Sequence, residues 1–238
     1  PDYIEIGNEL NIAEFNGDLN PNTVPGPVDA NRFVVAYYRL LRALKAELPT
    51  GHPPLIFNGH AGCETYSSWD ENENNLVTSP RRTGCLSFND IADAVERLNT
   101  ASCANCADHF WSLVDGVANH AYISATGAKS ARYAASPTPT LYREIFEQMR
   151  GQSDYFLAHS ANMSARSRNK PVYVTELGVE MHPTAPGLST TILRYVLGGL
   201  AQLGRQPAFV NGRLRFDPNA LRVPVPLITY YSTQQVHW

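Results

Sequence analysis

The amino-acid sequence predicts an α/β fold built from parallel β/α units. Short apolar segments, rich in β-branched and aromatic residues, alternate with longer segments whose apolar residues recur at helical spacing. Three of the apolar segments run directly into polar residues, as strands do at the catalytic face of a parallel α/β barrel. Because a strand, a helix and a second strand form a right-handed crossover, we expect the strands to pair in parallel.

The first β/α unit begins at the start of the chain. Ile4 and Ile6 belong to a short apolar alternation that is typical of a strand. Residues 13–29 are rich in proline, asparagine and glycine, which predicts a long loop. Asp29 is the candidate N-cap of an amphipathic helix that ends before Pro49. The predicted inner face of this helix consists of Phe33, Tyr37, Leu40, Leu41, Leu44 and Leu48.

A long segment follows the second predicted strand, which includes residues 55–57. This segment covers about residues 61–115 and contains two predicted helices, 89–98 and 107–114. An insertion of this length at the end of a strand usually builds or covers a binding site. Its Trp69 is a candidate stacking surface for a sugar ring.

All four cysteines lie in the same segment, at Cys63, Cys85, Cys103 and Cys106. An even number confined to one irregular segment favours disulfides, and disulfides favour a secreted, extracellular or periplasmic location. Cys63–Cys85 with Cys103–Cys106 is the most local of the three possible pairings. Free thiols and a zinc site that uses Cys103 and Cys106 are the alternatives, although the sequence lacks the second CxxC motif that such a zinc site usually has.

The later segments continue the alternation and end two further strands in functional groups. His120 and Tyr122 close the third predicted strand and lie two residues apart, which places them on the same side of it. Glu176 closes the next strand. The remaining expected elements are a small-residue loop at 124–139, a long helix at 140–167 and a helix at 189–203. Residues 207–216 and 226–232 both have strand character, and the pattern does not decide between them as the closing strand.

Composition excludes several classes of protein. The formal charge of −3 and the pI near 6.2 provide no basic surface for nucleic acid. The sequence has no apolar run of the roughly 18 residues that would span a bilayer. His52, His60 and His182 have no metal-ligand spacing with a carboxylate. We therefore expect no nucleic-acid partner, no membrane span, no metal and no cofactor.

Three motifs together resemble clan A glycoside hydrolases, which are retaining enzymes with a TIM-type (β/α)8 barrel. Ile4-Glu-Ile-Gly-Asn8-Glu9 is similar to the Asn-Glu motif on their fourth strand. His120-Ala-Tyr122 is similar to the His-x-Tyr motif on their sixth strand. Val172-Tyr-Val-Thr-Glu176-Leu-Gly is similar to the nucleophile motif on their seventh strand, and the three motifs occur in the family's order.

The resemblance implies a double-displacement mechanism on β-linked oligo- or polysaccharides. Glu9 would be the general acid/base and Glu176 the nucleophile. Asn8 would bind the sugar 2-hydroxyl, Tyr122 would donate a hydrogen bond that orients Glu176, and His120 would line the cleft.

The resemblance begins at the fourth strand of the family barrel, so the N-terminal strand-helix units are absent from residues 1–238. We therefore expect one partial barrel domain that a missing segment, another polypeptide or a second copy of the chain completes. Two other functions fit the same sequence. One is a non-catalytic carbohydrate-binding or self-assembling protein derived from a barrel fragment, and the other is a disulfide-stapled structural module.

Overall fold

The computed structural model describes most of the chain, and its helices and strands alternate as the sequence predicts. The described residues are 3–8, 29–58, 67–70, 75–78, 86–123, 128–179, 186–201, 207–210, 213–216 and 225–230. The strands are β1 (Ile4–Ile6), β2 (Leu55–Phe57), β3 (Ser67–Asp70), β4 (Asn75–Thr78), β5 (Gly116–Ile123), β6 (Val172–Val179), β7 (Pro207–Val210), β8 (Arg213–Phe216) and β9 (Ile228–Tyr230). The helices are α1 (Ala30–Glu47), α2 (Phe88–Glu96), α3 (Cys106–Ser112), α4 (Ala128–Ala135), α5 (Pro139–Arg166) and α6 (Pro186–Ala201).

The main sheet has the strand order β1-β2-β5-β6-β9 and is parallel throughout. This confirms the predicted α/β class and the parallel pairing, with helices in the connections between strands. The sheet is consistent with part of a TIM-type barrel. Among the described residues it has five strands, whereas a closed (β/α)8 barrel has eight.

The two candidate closing segments have different roles. Residues 207–216 form an antiparallel hairpin, in which β7 pairs with β8. β9 pairs in parallel with β6, and Val174 N–H donates to the carbonyl of Leu227 at 2.9 Å. The segment that contains β9 therefore extends the main sheet, which the local pattern alone did not decide.

The chain divides into two compact units. The first unit comprises residues 1–65, 80–120 and 162–173. The second unit comprises residues 66–79, 121–161 and 174–238.

Helix α1 of the first unit begins at Asp29, as predicted, because the Asp29 carboxylate accepts hydrogen bonds from the backbone N–H groups of Asn31 and Arg32. Its buried residues are Phe33, Val34, Tyr37 and Leu41. The expectation that Leu40 faces inward is wrong, since its side chain is 43% exposed. At 100° per residue the buried residues form an arc that runs from Phe33 to Val34, and Leu40 lies about 20° beyond the Phe33 end of that arc.

The long segment after β2 contributes to the core of the first unit. Helix α2 begins with a capping box between Ser87 and Asp90, and it buries Phe88, Ile91 and Val95. Helix α3 buries Phe110 and Trp111, whose rings both contact Phe57 of β2 edge-on. The segment is therefore part of the hydrophobic core as well as a candidate cover for a site.

Two elements differ from the sequence expectation. Helix α4 lies within residues 124–139, which we expected to be a loop, and its four alanines explain why a helix is favourable there. The hairpin of β3 and β4 lies in a region that we expected to be irregular. Its strands are four residues each, too short for alternation to identify them.

Helix α5 of the second unit carries a partly buried carboxyl, Asp154, and a buried imidazole, His159, whose pKa values shift in opposite directions. Burial raises the pKa of the Asp154 carboxyl to about 6, with Glu147 adding to the rise and Arg150 opposing it. Burial lowers the pKa of His159 to about 4. As the pH falls from about 6 to 4, protonation of folded Asp154 stabilises the native state, whereas protonation of unfolded His159 destabilises it. The two effects therefore oppose each other.

The variant Asp154→Asn is expected to remove only the contribution of Asp154. At pH 8 its free energy of unfolding should exceed that of the native chain by about 1 kcal/mol, because asparagine carries no charge that burial disfavours. Solvent screens the part-exposed Asp154 carboxylate, so the effect is smaller than the full pKa shift would give. Between pH 6 and 4 it should lose stability more steeply than the native chain, because the effect of His159 is then unopposed. Urea unfolding at several pH values measures both effects. Glu144→Gln on the same helix is the control, and identical pH profiles for Asp154→Asn and the native chain would contradict the prediction.

Candidate functional site

A polar cluster in the first unit joins side chains from β1, the end of β2 and β5. Glu5 Oε1 accepts a hydrogen bond from Asn58 Nδ2 at 2.6 Å. The same carboxylate oxygen lies 3.8 Å from Nε2 of His120. Asn58 and His120 are buried, whereas the Glu5 side chain is 21% exposed. The cluster therefore has a solvent-accessible carboxylate supported by two buried polar groups.

The strand register explains why these three side chains meet. Glu5 lies opposite Ile56, and Ile56 lies opposite Gly116. Side chains alternate between the two faces of a strand, so Asn58 shares the face of Ile56, and His120 shares the face of Gly116. Glu5 and Asn58 were not among the predicted site residues. The sequence does carry one indication of Glu5, which is a charged residue between Ile4 and Ile6. In a strand its side chain lies on the face opposite to those two side chains.

The carboxyl end of β1 is held by α1. The Tyr37 hydroxyl donates a 2.5 Å hydrogen bond to the backbone carbonyl of Ile6. Burial raises the pKa of Tyr37 well above its ordinary value, so the phenol stays neutral and remains a donor. Gly7 follows with φ of 85°, a conformation that favours glycine, and it ends the strand before the exposed Asn8.

A second pair of functional groups lies in the second unit. The Tyr122 hydroxyl, on β5, donates a hydrogen bond to Oε2 of Glu176, on β6. The Tyr122 side chain is 49% exposed and Glu176 is partly exposed, so a ligand in solution can reach both. The hydrogen bond fixes the direction of the Glu176 carboxylate, so the pair presents an oriented carboxylate oxygen beside a phenol.

An irregularity in β6 accompanies this pair. The register of β6 against β9 shifts between Val174 and Leu177, which flank the segment that contains Glu176. Irregularities of this kind redirect a side chain relative to the regular alternation and are frequent next to active sites. Backbone pairing thus contributes to where the Glu176 carboxylate points.

The predicted site residues are distributed as follows. The structure brings Tyr122 and Glu176 into contact in the second unit, and it places Asn8 and His120 in the first. Trp69 belongs to β3. Glu9, Cys63 and Cys85 lie outside the described residues. The expected disulfide between Cys103 and Cys106 is present.

The described residues contain no group of three histidine, cysteine, aspartate or glutamate side chains arranged to hold a metal ion. None of the described helices combines the length and the apolar character that crossing a bilayer requires. Comparison of the chain with protein-family models, curated proteins and solved structures found no match.

Proposed function

We propose that this chain is a retaining glycoside hydrolase that acts on β-linked oligo- or polysaccharides. The observation that carries the proposal is the hydrogen bond from Tyr122 to the Glu176 carboxylate, since it orients a partly exposed carboxylate of the kind that acts as nucleophile in a retaining glycosidase. The motif order in the sequence supports it. In this proposal the chain works outside the cytoplasm, and a further segment or a second copy completes its barrel.

The reaction has two displacement steps. Glu176 attacks the anomeric carbon while the protonated Glu9 donates its proton to the departing glycosidic oxygen. A covalent glycosyl ester with Glu176 results. Glu9, now ionised, then takes a proton from a water molecule that attacks the same carbon, and the ester bond to Glu176 breaks. Each step inverts the carbon, so the product retains its β configuration.

The other polar groups have supporting roles in the proposal. Asn8 binds the sugar 2-hydroxyl, and Trp69 offers a stacking surface. The partly exposed Glu5 carboxylate accepts a hydrogen bond from a further sugar hydroxyl, while Asn58 and His120 hold it in place. These contacts raise the rate to the extent that they strengthen in the transition state.

The purified chain should be assayed against a panel of 4-nitrophenyl β-glycosides and β-linked oligosaccharides. Proton NMR of the first sugar released identifies its anomer, and the proposal requires the β-anomer. Release of the α-anomer would exclude the double-displacement route. Glycan binding without hydrolysis across the panel would overturn the enzymatic assignment and favour the non-catalytic carbohydrate-binding alternative.

The variant Tyr122→Phe is expected to lower kcat by about 10²-fold. This is the usual loss when one hydrogen-bond donor that contacts a charged reacting group is removed. Because Tyr122 is exposed, stability should stay within about 0.5 kcal/mol of the native chain. Steady-state kinetics and urea unfolding measure the two quantities. Tyr142→Phe, another exposed tyrosine, is the control. Equal kcat values for Tyr122→Phe and the native chain would show that the hydrogen bond has no catalytic role.

A further inference from the structure

The Cys103–Cys106 disulfide lies beside polar side chains in the first unit. The Tyr38 hydroxyl is 3.7 Å from Cys106 Sγ and 2.5 Å from His109 Nδ1. The Arg42 guanidinium lies over the Tyr38 ring, 5.8 Å from its centroid. Both cysteines are partly exposed. Reactive cysteines are partly exposed, as these two are, whereas structural cysteines are usually buried among apolar groups.

The backbone around the two cysteines is held by bonds that do not depend on the disulfide. Thr100 and Cys103 exchange two backbone hydrogen bonds, each 3.0 Å long. The Asn99 side chain accepts a 2.8 Å hydrogen bond from the backbone N–H of Ala107. Helix α3 is anchored by the buried rings of Phe110 and Trp111. The two sulfur atoms therefore stay close together when the bond between them is opened.

The loop that the disulfide closes is short, which also favours a reactive disulfide over a structural one. Cys103 and Cys106 are separated by three positions. The stabilisation that a disulfide obtains by restricting the unfolded chain increases with loop length and is smallest for such short loops. Opening this disulfide is therefore expected to cost less stability than opening one that closes a long loop.

We propose that Cys103 and Cys106 form a thiol–disulfide exchange site, which cycles between the disulfide and the dithiol with low-molecular-weight thiols of the glutathione class. The inference concerns a part of the first unit that takes no role in the proposed hydrolysis, so it does not depend on the glycosidase assignment.

Exchange begins when a reductant thiolate attacks Cys103 Sγ. The Cys103–Cys106 bond breaks, and its electron pair stays on Cys106 Sγ as a thiolate. This thiolate accepts a hydrogen bond from the Tyr38 hydroxyl in the tautomer of His109 whose Nδ1–H donates to the Tyr38 oxygen. A second reductant thiolate then attacks the reductant-derived sulfur of the mixed disulfide. This releases the Cys103 thiolate and the oxidised reductant. Two reductant thiols are oxidised, one protein disulfide is reduced, and the two thiol protons pass to the cysteines.

The groups around Cys106 favour its thiolate over its thiol. Helix α1 contributes the Tyr38 hydroxyl, and the Arg42 guanidinium lies over the Tyr38 ring. Helix α3 contributes the His109 ring, which contacts the Tyr38 hydroxyl, and Asp108. The Asp108 carboxylate is paired with Arg168 Nε at 2.8 Å, which offsets its repulsion of a thiolate. A stabilised Cys106 thiolate is the better leaving group when Cys103 is attacked.

The test uses the native full chain in glutathione redox buffers, with rapid alkylation by iodoacetamide and peptide mapping that separates Cys103 and Cys106 from Cys63 and Cys85. The expected result is reversible opening of the Cys103–Cys106 bond with the circular dichroism spectrum and thermal midpoint of the native chain retained. Reduction that occurs only after unfolding, or that itself unfolds the chain, would overturn the proposal.

Variants provide a second readout. In the reduced chain, the pH of half-maximal Cys106 alkylation should lie below the ordinary thiol value of about 8.5. In Tyr38→Phe it should rise by about one pH unit, equivalent to about tenfold less thiolate at neutral pH, because a hydrogen bond to the charged sulfur is lost. His109→Gln, at an exposed position, should also raise the pH of half-maximal Cys106 alkylation. It serves as the second variant if Tyr38→Phe folds poorly. Tyr142→Phe is the control. Unchanged alkylation profiles for Tyr38→Phe and His109→Gln would show that Tyr38 and His109 do not stabilise the Cys106 thiolate.

Discussion

Replacing Glu176 by alanine is expected to lower kcat for β-glycoside hydrolysis by about 10⁴-fold or more, the scale of loss when a covalent nucleophile is removed. Both displacement steps pass through the Glu176 ester, so no other described group substitutes for it in the proposed mechanism. The effect should fall on kcat, while a substrate that still binds keeps a similar KM. Steady-state kinetics with the best substrate from the glycoside panel measures the loss.

Two matched variants separate a catalytic from a structural role of Glu176. Glu176→Gln keeps a side-chain oxygen that can accept from Tyr122, yet it lacks the negative charge and should be as inactive as Glu176→Ala. Azide should restore turnover in Glu176→Ala, because the small anion enters the space left by the carboxylate and attacks the anomeric carbon. The expected product is the α-glycosyl azide. Glu144→Gln on α5 is the control, and full activity in either Glu176 variant would refute the assignment.

Replacing Phe57 by alanine is expected to have the largest effect on stability, about 3–5 kcal/mol. Phe57 is fully buried, and its ring contacts those of Tyr37, Phe110 and Trp111. These contacts come from α1 and α3, so the cavity left by alanine would lie where both helices pack on β2. Since domains are stable by only about 5–15 kcal/mol, this loss is a large fraction of the total. Urea unfolding, followed by circular dichroism and by tryptophan fluorescence, measures it.

Two further variants define the origin of the Phe57 effect. Phe57→Leu keeps most of the apolar volume and should cost about 1–2 kcal/mol. Leu40→Ala, at an exposed position on α1, should change stability by no more than about 0.5 kcal/mol. A cost for Phe57→Ala as small as that for Leu40→Ala would contradict the view that the aromatic cluster holds the first unit together.

Local patterns predicted the elements of the parallel sheet well. Helix α1 begins at its Asp29 cap as expected, and α2, α3, α5 and α6 lie within a few residues of their predicted bounds. These elements are long or clearly capped, so the relevant signals lie within one element. By the same reasoning α4 and the hairpin of β3 and β4 were missed, since an alanine-rich segment and four-residue strands carry little hydrophobic periodicity.

The sequence predicted those site residues that a single strand is enough to identify. Asn8, His120, Tyr122 and Glu176 stand out because each lies at or beyond the polar end of an apolar segment. Glu5 and Asn58 were not selected, since their importance depends on the register between β1 and β2. Whether two polar residues on different strands meet is determined by the pairing of backbone groups that are far apart in sequence.

The sequence by itself determined the α/β class, the order of the principal strands and helices, and the candidate carboxylate Glu176, because periodicity, caps and motifs are local properties. Only the tertiary structure decided that Glu5, Asn58 and His120 form one cluster and that Tyr122 donates to Glu176. It also decided that β9, and not the hairpin of β7 and β8, pairs with β6. These outcomes depend on strand register and side-chain direction, which arise when the whole chain packs and are not encoded in any single segment.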